Sequence, residues 1–505
     1  MVFRITSCLV LFFLLPTLLS GQVVNFKRIY FAPDIEYARS IVQDYDSGFV
    51  YTGASSSFGN GTTDMILGKV DKAGNPVWTR TFGGLGVDVG KCLVRISSDS
   101  GFAIVGYSNS GGNGGYDVWV VRTDKIGMVL WDRYYGGTDW DFGHYIDTIS
   151  GGGFIVSGST YSSGAGSMDA YILQLDPSGN LLWSKTYGGI NDEELLEGHQ
   201  NSDGSFIFCG STNSFGSGGN DLMVLKTNAT GDTTAASGWM KYFGGSAEDV
   251  GATVIQTFEG GFLAAGTTES FGNGGKDGYL LKLDFQGNGE WVSFSGSVNT
   301  ETLHSIVQTP DSNFAYVGAT DNGGAGALDV HFELIHRYGW YLSGTTYGGT
   351  GMDDGYCIRN AFRKGFIMAG FSRSFCSGTD NIFLIRTDSS GIFSPNPTCI
   401  PFTSPLTTAA SEIKNYTLKV FPNPSAGAIT LRMLGPEIEG RGEVAVFDLT
   451  GREVYRFSIP DSRAWTSIST GLNINFDNLS PGSYNILISF DSGKKFSAPL
   501  IIAPY

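Results

Sequence analysis

The strongest constraint on the fold is a unit of just over fifty residues that repeats along the first four-fifths of the chain. Its markers are tryptophans spaced 52 to 56 residues apart, at Trp78, Trp131, Trp183, Trp239 and Trp291. A Gly-Gly pair follows each of the first four tryptophans, is reduced to Gly296-Ser297 after the fifth, and returns at Gly348-Gly349. A period of this length is typical of stacked supersecondary units.

Each unit contains four short apolar runs bounded by Gly, Asp and Asn. In the second unit they cover 92–96, 102–107, 118–122 and 129–135. Short runs between turn residues indicate strands, and none of them has a helical period. Four strands in a repeat of this length predict an all-β fold made of β-propeller blades.

The number of repeats predicts seven blades. The first three strands (A, B and C) occur seven times, with A strands near Ala38, Lys91, His144, Leu196, Ala252, His304 and Tyr356. A fourth strand (D) also occurs seven times, but one copy, at 26–31, precedes the first A strand. The last group ends at Gly391 without a D strand. We therefore predict a seven-bladed propeller over 22–393, closed by the N-terminal strand, since closure removes open sheet edges.

A turn of the form Asp-x-x-Gly-x-x-x-Trp joins strands C and D, as in Asp124 to Trp131. Asp accepts turn N–H groups and Gly supplies the positive φ. This pattern resembles the tryptophan-docking repeat of quinoprotein-type propellers. The resemblance implies an indole between neighbouring blades and an outermost D strand. No adjacent cysteine pair accompanies it, so no quinone cofactor is inferred.

Acidic residues recur at two places in every unit. They precede strand A (Glu36, Asp88, Asp141, Glu193, Asp249, Glu301, Asp353) and strand C (Asp64, Asp117, Asp169, Asp221, Asp277, Asp329, Asp380). Because structural needs recur in every blade, we predict that these carboxylates cap turns. The alternative is calcium held by the Gly-rich segments 59–64 or 272–277, which lack the spacing of a known loop. No cofactor is predicted otherwise.

One position varies within this constant frame, three residues after the first acid. The seven residues there are Arg39, Lys91, His144, Leu196, Ala252, His304 and Tyr356. If strand A lines the channel, they form one ring near its mouth. We hypothesise that Arg39, Lys91, His144, His304 and Tyr356 bind an acidic or hydroxyl-rich ligand such as a glycan. The alternative is ordinary variation at a solvated loop.

The sequence contains few features that indicate an enzyme. The five histidines lack metal-ligand spacing, and the chain has no Gly-x-Ser-x-Gly elbow, phosphate loop or HExxH motif. No catalytic residue or metal ligand is assigned. A net charge of −16 argues against nucleic acid as a partner. We predict a non-catalytic glycan- or protein-binding or structural module; the alternative is an extracellular polysaccharide lyase or hydrolase acting in the channel.

The N-terminus predicts export. Residues 1–21 have the charge, apolar core and small-residue end of a secretory signal peptide, and no other stretch is apolar enough to cross a bilayer. Cys92, Cys209 and Cys357 fall in apolar strand patterns and are expected to be buried free thiols. A bridge between Cys376 and Cys399 is possible outside the cell, and the sequence leaves this open.

The last hundred residues differ in composition. A Pro/Ser/Thr-rich linker is predicted at 394–415, followed at 416–505 by a small Ig-like β-sandwich with strands near 418–421, 428–433, 443–448, 453–458, 472–476, 484–490 and 495–502. This stretch resembles the type A C-terminal sorting domain of the type IX secretion system of Bacteroidota. The matching residues are Pro422, Asn423, Pro424, Gly427, Gly451, Arg452, Pro481, Gly482 and Tyr484.

The resemblance implies that the type IX machinery carries the protein across the outer membrane and that the domain is then cleaved. The product would be released or attached to the cell surface. The alternative is an ordinary Ig-like binding module. The sequence does not identify the ligand.

Overall fold

The structure is a computed structural model. It describes residues 24–233, 238–362, 364–376, 379–402, 417–421, 428–434, 442–448, 452–459, 472–475, 480, 482–490 and 495–502. The chain forms two compact units, the first ending at Thr408 and the second beginning at Ala409. Within these ranges every regular element is a strand, and no helix long and apolar enough to span a membrane is present. The predicted signal peptide lies outside the described residues, and the domain boundaries given above remain predictions.

The first unit is a seven-bladed β-propeller, as predicted from the repeats. Six blades are four-stranded antiparallel sheets and the seventh has five strands. The A strands are β2 (Glu36–Gln43), β6 (Asp88–Arg95), β10 (Asp141–Thr148), β14 (Glu193–Gln200), β18 (Asp249–Gln256), β22 (Glu301–Gln308) and β26 (Asp353–Ala361). Each A strand contacts the A strands of both neighbouring blades, so together they surround the central channel.

The remaining strands follow outward in sequence order. The B strands are β3 (Phe49–Ser55), β7 (Phe102–Ser108), β11 (Phe154–Thr160), β15 (Phe206–Thr212), β19 (Phe262–Thr268), β23 (Phe314–Thr320) and β27 (Gly365–Ser372). The C strands are β4 (Asp64–Val70), β8 (Asp117–Thr123), β12 (Asp169–Leu175), β16 (Asp221–Thr227), β20 (Asp277–Leu283), β24 (Asp329–Ile335) and β28 (Asn381–Asp388). The outermost D strands are β5 (Pro76–Phe82), β9 (Val129–Tyr135), β13 (Leu181–Tyr187), β17 (Trp239–Phe243), β21 (Gly289–Ser295) and β25 (Tyr341–Tyr347).

Both ends of the propeller chain close the seventh blade. Strand β1 (Phe26–Phe31) pairs antiparallel with β28, which confirms the predicted closure by the N-terminal strand. A further strand, β29 (Thr398–Pro401), pairs parallel with β1 and becomes the outer edge. A disulfide between Cys376 and Cys399 ties β29 to the loop between β27 and β28. The sequence left this bridge open, and the other three described cysteines are buried and free, as expected.

Apolar side chains pack between neighbouring blades. Trp131 of the second blade contacts the third blade, where its ring lies 6.1 Å from that of Phe154. A Cβ on Gly179 would come within 2.7 Å of the same indole, so this turn needs glycine for space as well as for its φ of 79°. The docking geometry implied by the repeat is therefore present. Burial of an indole in such a slot contributes roughly 2–3 kcal/mol.

The repeated carboxylates cap turns, as predicted. Asp141 accepts hydrogen bonds from the Gly137 N–H (2.8 Å) and the Ser162 hydroxyl (2.8 Å). Asp117 accepts from the Asn113 N–H (3.1 Å). The first glycine of the pair, Gly136, lies between the two carboxylates, and a Cβ there would overlap both. This crowding explains why the Gly-Gly pair recurs in the same place.

One of these fourteen assignments was wrong. In the seventh blade Asn381, not Asp380, occupies the position at the start of strand C, opposite Ser372. Asp380 lies one residue earlier and forms an ion pair with Arg373. Of the segments considered for calcium, Asp64 accepts the Gly61 N–H (2.9 Å) and Asp277 accepts the Asn273 N–H (3.1 Å).

The second unit contains two antiparallel sheets. One consists of β30 (Thr417–Phe421), β31 (Ala428–Leu434) and β34 (Leu472–Asn475); the other consists of β32 (Gly442–Asp448), β33 (Glu453–Ile459), β35 (Gly482–Phe490) and β36 (Lys495–Ile502). All seven predicted strands are present, and their packing as an Ig-like sandwich remains a prediction.

Most of the sorting-motif residues (Pro422, Asn423, Pro424, Gly427, Gly451 and Pro481) lie outside the described residues. Gly482 begins β35. The N–H of Arg452 donates to the Asp448 carboxylate (3.0 Å), which closes the β32–β33 turn, and the Tyr484 hydroxyl donates to the Ser480 carbonyl (2.7 Å).

Candidate ligand-binding site at the channel mouth

A β-bulge lies at the same place in all seven A strands. The pairing with strand B shifts between Ala38 and Ser40, between Gly143 and Tyr145, and at the equivalent position of every other blade. The unpaired residue at each shift is the variable residue found in the sequence. Bulges re-aim side chains and often occur beside functional sites. The same bulge therefore directs one side chain from each blade into the channel.

These seven residues share one cavity of about 100 Å³ at the mouth of the channel. All five residues predicted to bind a ligand are among its lining (Arg39, Lys91, His144, His304 and Tyr356), together with Leu196 and Ala252. Basic and apolar side chains are unevenly distributed around this set. Blades one to three supply basic groups, and blades four and five supply an apolar gap. We name these seven residues the channel ring.

Aromatic rings and carboxylates hold the channel ring in place. The Arg39 guanidinium lies 3.7 Å from the centre of the Tyr356 ring, a close cation–π contact. Tyr356 in turn lies 5.6 Å from His304, whose Nε2 is 3.3 Å from the Asp354 carboxylate. On the opposite side, His144 Nε2 is 3.8 Å from Glu194. Each histidine of the channel ring thus lies beside a carboxylate, and Arg39 lies on an aromatic ring.

Burial changes the charge of this opening. Burial and then the nearby Arg39 lower the pKa of Lys91 to about 8, although Glu194 opposes this. Burial, Lys91 and Arg39 lower the pKa of His144 to about 3, so this imidazole is neutral at physiological pH. Burial raises the pKa of Glu194. At pH 7 the ring therefore offers two cations beside a neutral imidazole able to donate and accept hydrogen bonds.

An aromatic cluster continues from the channel ring to the outer surface. The rings of Trp140 and Tyr161 lie 6.2 Å apart, and 49% and 37% of these residues are exposed. Trp140 also contacts Tyr116 (5.8 Å) and Phe142 (6.3 Å), and Phe142 stacks at 6.5 Å on His144. Tyr107 completes the cluster by lying under the Lys91 ammonium at 5.5 Å. We call the side chains of Tyr107, Tyr116, Trp140, Phe142 and Tyr161 the aromatic platform.

Sequence reasoning missed the aromatic platform. One sign of it was visible in the sequence, at the residue before the first acid of each unit. This residue is Trp140 in the third unit. In the other units it is Ile35, Val87, Asp192, Glu248, Thr300 or Met352. Tryptophan occurs at this position in one unit of the seven. Only the folded structure shows that the aromatic platform lies next to the channel ring.

A second polar group lies deeper in the channel and was also missed. His199 donates or accepts at both nitrogens, with Nδ1 at 2.8 Å from Asp147 and Nε2 at 2.8 Å from Glu197. Its ring lies 5.0 Å from Tyr145, whose hydroxyl is 3.4 Å from the Arg359 guanidinium. Burial lowers the pKa of His199, but the two carboxylates outweigh it and raise the pKa to about 9. These groups satisfy one another and link the third, fourth and seventh blades.

Residues 419–503 match the family model of the secretion system C-terminal sorting domain. This stretch is a sorting domain. The match confirms the predicted type IX sorting domain and includes all nine motif residues. Such a domain directs export, so the protein is secreted or displayed at the cell surface, and its C-terminal unit interacts with the secretion machinery.

Comparisons of the whole chain say little more. No curated protein matches the sequence significantly. Similar solved structures include a protein of unknown function from Bacteroides caccae (11% identity, TM-score 0.37, covering 57% of this chain and 90% of that chain). Others are puromycin hydrolase (10%, 0.43, 81% and 61%) and the β-propeller domain of the Trilobed protease from Pyrococcus furiosus (9%, 0.37, 73% and 99%). Similarity at this level carries no information about function.

Proposed function

We propose that the protein is an exported, non-catalytic glycan-binding propeller that holds its ligand at the channel mouth. The observation that carries this proposal is the aromatic platform beside the channel ring. Ligand sites typically combine aromatic and apolar walls with a few placed polar groups. Here Trp140 and Tyr161 offer exposed ring faces, and Lys91, His144 and Arg39 offer hydrogen-bonding groups one layer further in.

A sugar ring fits this arrangement better than other ligands found outside cells. A pyranose has an apolar C–H face that packs on an aromatic ring, and hydroxyls at its edge that need donors and acceptors. The aromatic platform supplies the aromatic faces, and the channel ring supplies the hydrogen-bond donors and acceptors. Glu194 and Asp354 add acceptors beside the basic residues. The opening is small, about 100 Å³, which favours the end or side of a chain over a deeply enclosed segment.

The proposal includes the route to the cell exterior. The sorting domain is passed to the type IX machinery after cleavage of the signal peptide at residues 1–21. Residues 22–401 then form the binding module, because β29 (Thr398–Pro401) belongs to its seventh blade, and the residues that follow, up to 415, connect it to the sorting domain, which folds as a small β-sandwich. The source would be a member of the Bacteroidota.

The test is a glycan array probed with the full mature chain, followed by titration of the best ligand. Trp140→Ala should weaken binding at least about tenfold, a loss of 1.4 kcal/mol. Trp340→Ala is the matched control, because Trp340 is similarly exposed (54%) in the sixth C–D turn. Replacing Arg39, Lys91 and His144 together by alanine should abolish binding. An array without ligands, or equal losses in Trp140→Ala and the control, would refute the proposal.

Catalysis is tested on the same ligand. We expect the glycan to be recovered uncut after prolonged incubation with the protein. New reducing ends or unsaturated products would instead support the alternative of an extracellular hydrolase or lyase acting in the channel.

A further inference from the structure

Two cations of the channel ring, Arg39 and Lys91, form no ion pair with a carboxylate of the residues that the structure describes. The histidines of the ring differ from them, because each lies beside a carboxylate, Glu194 or Asp354. Glu194 acts on Lys91 at longer range, without forming an ion pair with it. The positive charges of the first two blades are therefore free to meet an anion from outside the chain.

This difference follows from one position of strand A. Glu194 and Asp354 lie two residues before the ring residue of their own blade, and each contacts the ring histidine of the preceding blade. In the blades that follow Arg39 and Lys91, the same position is occupied by Val89 and Phe142. An apolar side chain thus replaces the carboxylate that could neutralise each cation.

Aromatic rings hold the two cations in place without neutralising them. The Arg39 guanidinium lies 3.7 Å from the centre of the Tyr356 ring and 5.1 Å from that of Tyr37, and the Lys91 ammonium lies 5.5 Å from that of Tyr107. Nε of Arg39 is buried and has no hydrogen-bond partner. Because an unpaired buried donor on a charged group is costly, the guanidinium retains a hydrogen-bonding capacity that this chain leaves unused.

The two cations converge on one cavity. Both line the opening of about 100 Å³ at the channel mouth. Burial and then the repulsion by Arg39 lower the pKa of Lys91 to about 8, which shows that the two positive charges act on each other. A carboxylate bound between them would relieve this repulsion, and its two oxygens can accept charge-assisted hydrogen bonds from both groups.

The net charge of −16 does not prevent such binding. At about 0.15 M salt, exposed charges more than about 8 Å away are largely screened, so the groups that line the cavity decide which ligand it accepts. The carboxylates of the channel ring lie beside its histidines, whereas Arg39 and Lys91 come from the adjacent first and second blades.

We infer that the glycan held at the channel mouth contains a uronic acid, and that Arg39 and Lys91 bind its carboxylate. This inference rests on the proposed glycan binding and adds the class of sugar. The carboxylate would face the first two blades, where Tyr107 of the aromatic platform lies under Lys91. The hydroxyls of the sugar would face the histidines and their carboxylates.

The experiment is calorimetric titration of the full mature chain with uronic-acid oligosaccharides. The probes are oligomers of galacturonic, mannuronic and glucuronic acid, each compared with its carboxyl-reduced form, which has the same linkages and no charge. The best acidic oligomer should bind at least about tenfold more tightly than its reduced form. This advantage should shrink as NaCl is raised from about 0.05 to 0.5 M, because salt screens the charges.

The outcomes separate this inference from the proposed function. Equal binding of the acidic and reduced forms, or binding of neutral glycans alone, would overturn the uronic-acid assignment and leave glycan binding intact. A polyglutamate peptide that binds as tightly as the best acidic oligomer would overturn the assignment to a sugar. Absence of binding to any glycan would refute the proposed function itself.

Variants then locate the carboxylate. Arg39→Gln/Lys91→Gln removes both charges but keeps hydrogen-bonding groups, so it should lower the affinity for the acidic oligomer to about that for the reduced form. Lys72→Gln/Lys125→Gln is the matched control, because it removes two exposed charges from the C–D turns of the same two blades and should keep the preference. A preference for the acid that survives in the folded Arg39→Gln/Lys91→Gln variant would overturn the proposal. If this variant does not fold, the salt dependence of the wild type still decides.

Discussion

Replacing His199 by glutamine is expected to destabilise the propeller strongly at pH 6 and only weakly at pH 10. The imidazolium of His199, on β14, is held between Asp147 of β10 and Glu197 of its own strand, both at 2.8 Å, with Tyr145 packed against its ring. Glutamine keeps hydrogen-bonding capacity but cannot carry the positive charge. The variant therefore isolates the contribution of charge from that of shape.

The magnitude follows from the pKa of this group. The two carboxylates raise the pKa of His199 from 6.5 to about 9 in spite of its burial. A difference of about 2.5 at 1.36 kcal/mol for each unit corresponds to on the order of 3 kcal/mol of stability. Because the folded-state pKa is the higher one, this stability is fully present below pH 6.5. It declines between pH 6.5 and 9 and is lost above about pH 9.

The assay is urea unfolding of the wild type and of His199→Gln from pH 5 to pH 10. The difference in unfolding free energy should be on the order of 3 kcal/mol at pH 6 and should shrink steadily above pH 7. A difference that stays constant over this range would refute the charged state of His199.

His144→Gln provides an internal contrast of opposite sign. Burial, Lys91 and Arg39 lower the pKa of His144 to about 3, so between pH 3 and 6.5 only the unfolded chain binds a proton there. The wild type is therefore destabilised by this group in acid, and His144→Gln should be relatively more stable at pH 4 than at pH 7.

Three further changes test the architecture and the export route. Trp131→Ala should cost about 2–3 kcal/mol in urea unfolding by emptying a blade junction, whereas Leu130→Ala, exposed on the same strand, should cost under about 0.5 kcal/mol; equal costs would contradict indole docking. Replacing Cys376 and Cys399 together by serine should lower the unfolding free energy by about 3 kcal/mol, with no effect of reductant on the variant; an unchanged Tm would contradict a structural bridge. Removal of residues 416–505 should leave the protein in the periplasm by cell fractionation, and normal export of the truncated chain would refute the sorting role.

Much of the fold could be predicted because a propeller repeats its constraints. Each blade needs the same turn glycine and the same carboxylate before strand A, and five of the seven blades carry the docking indole, so the pattern is repeated along the chain and single exceptions do not hide it. The repeat pattern gave a wrong assignment where the spacing is locally irregular: Asp380 was assigned to the strand C position that Asn381 occupies. The closing role of 26–31 could be deduced by counting strands, but β29 could not, since a four-residue edge strand has no period.

The candidate site was predictable in part for the same reason. Arg39, Lys91, His144, His304 and Tyr356 stood out as variation within a constant frame, and the bulge in every A strand brings them to one ring. The aromatic platform was not found, because Tyr107, Trp140 and Tyr161 occupy different positions of two repeats. Tyr107 of the second blade meets Phe142 of the third through the packing of neighbouring blades, and Trp140 meets Tyr161 through the pairing of strands A and B in the third blade.

By itself, the sequence determined the all-β class, the number of blades, their closure and the sorting domain, because these depend on local turn chemistry and on patterns that repeat or match contiguous motifs. Only the tertiary structure decided which side chains meet. The His199 pair with Asp147 and the Cys376–Cys399 bridge each join residues that are far apart in the chain. Such contacts follow from strand register and blade packing, which sequence spacing alone does not specify.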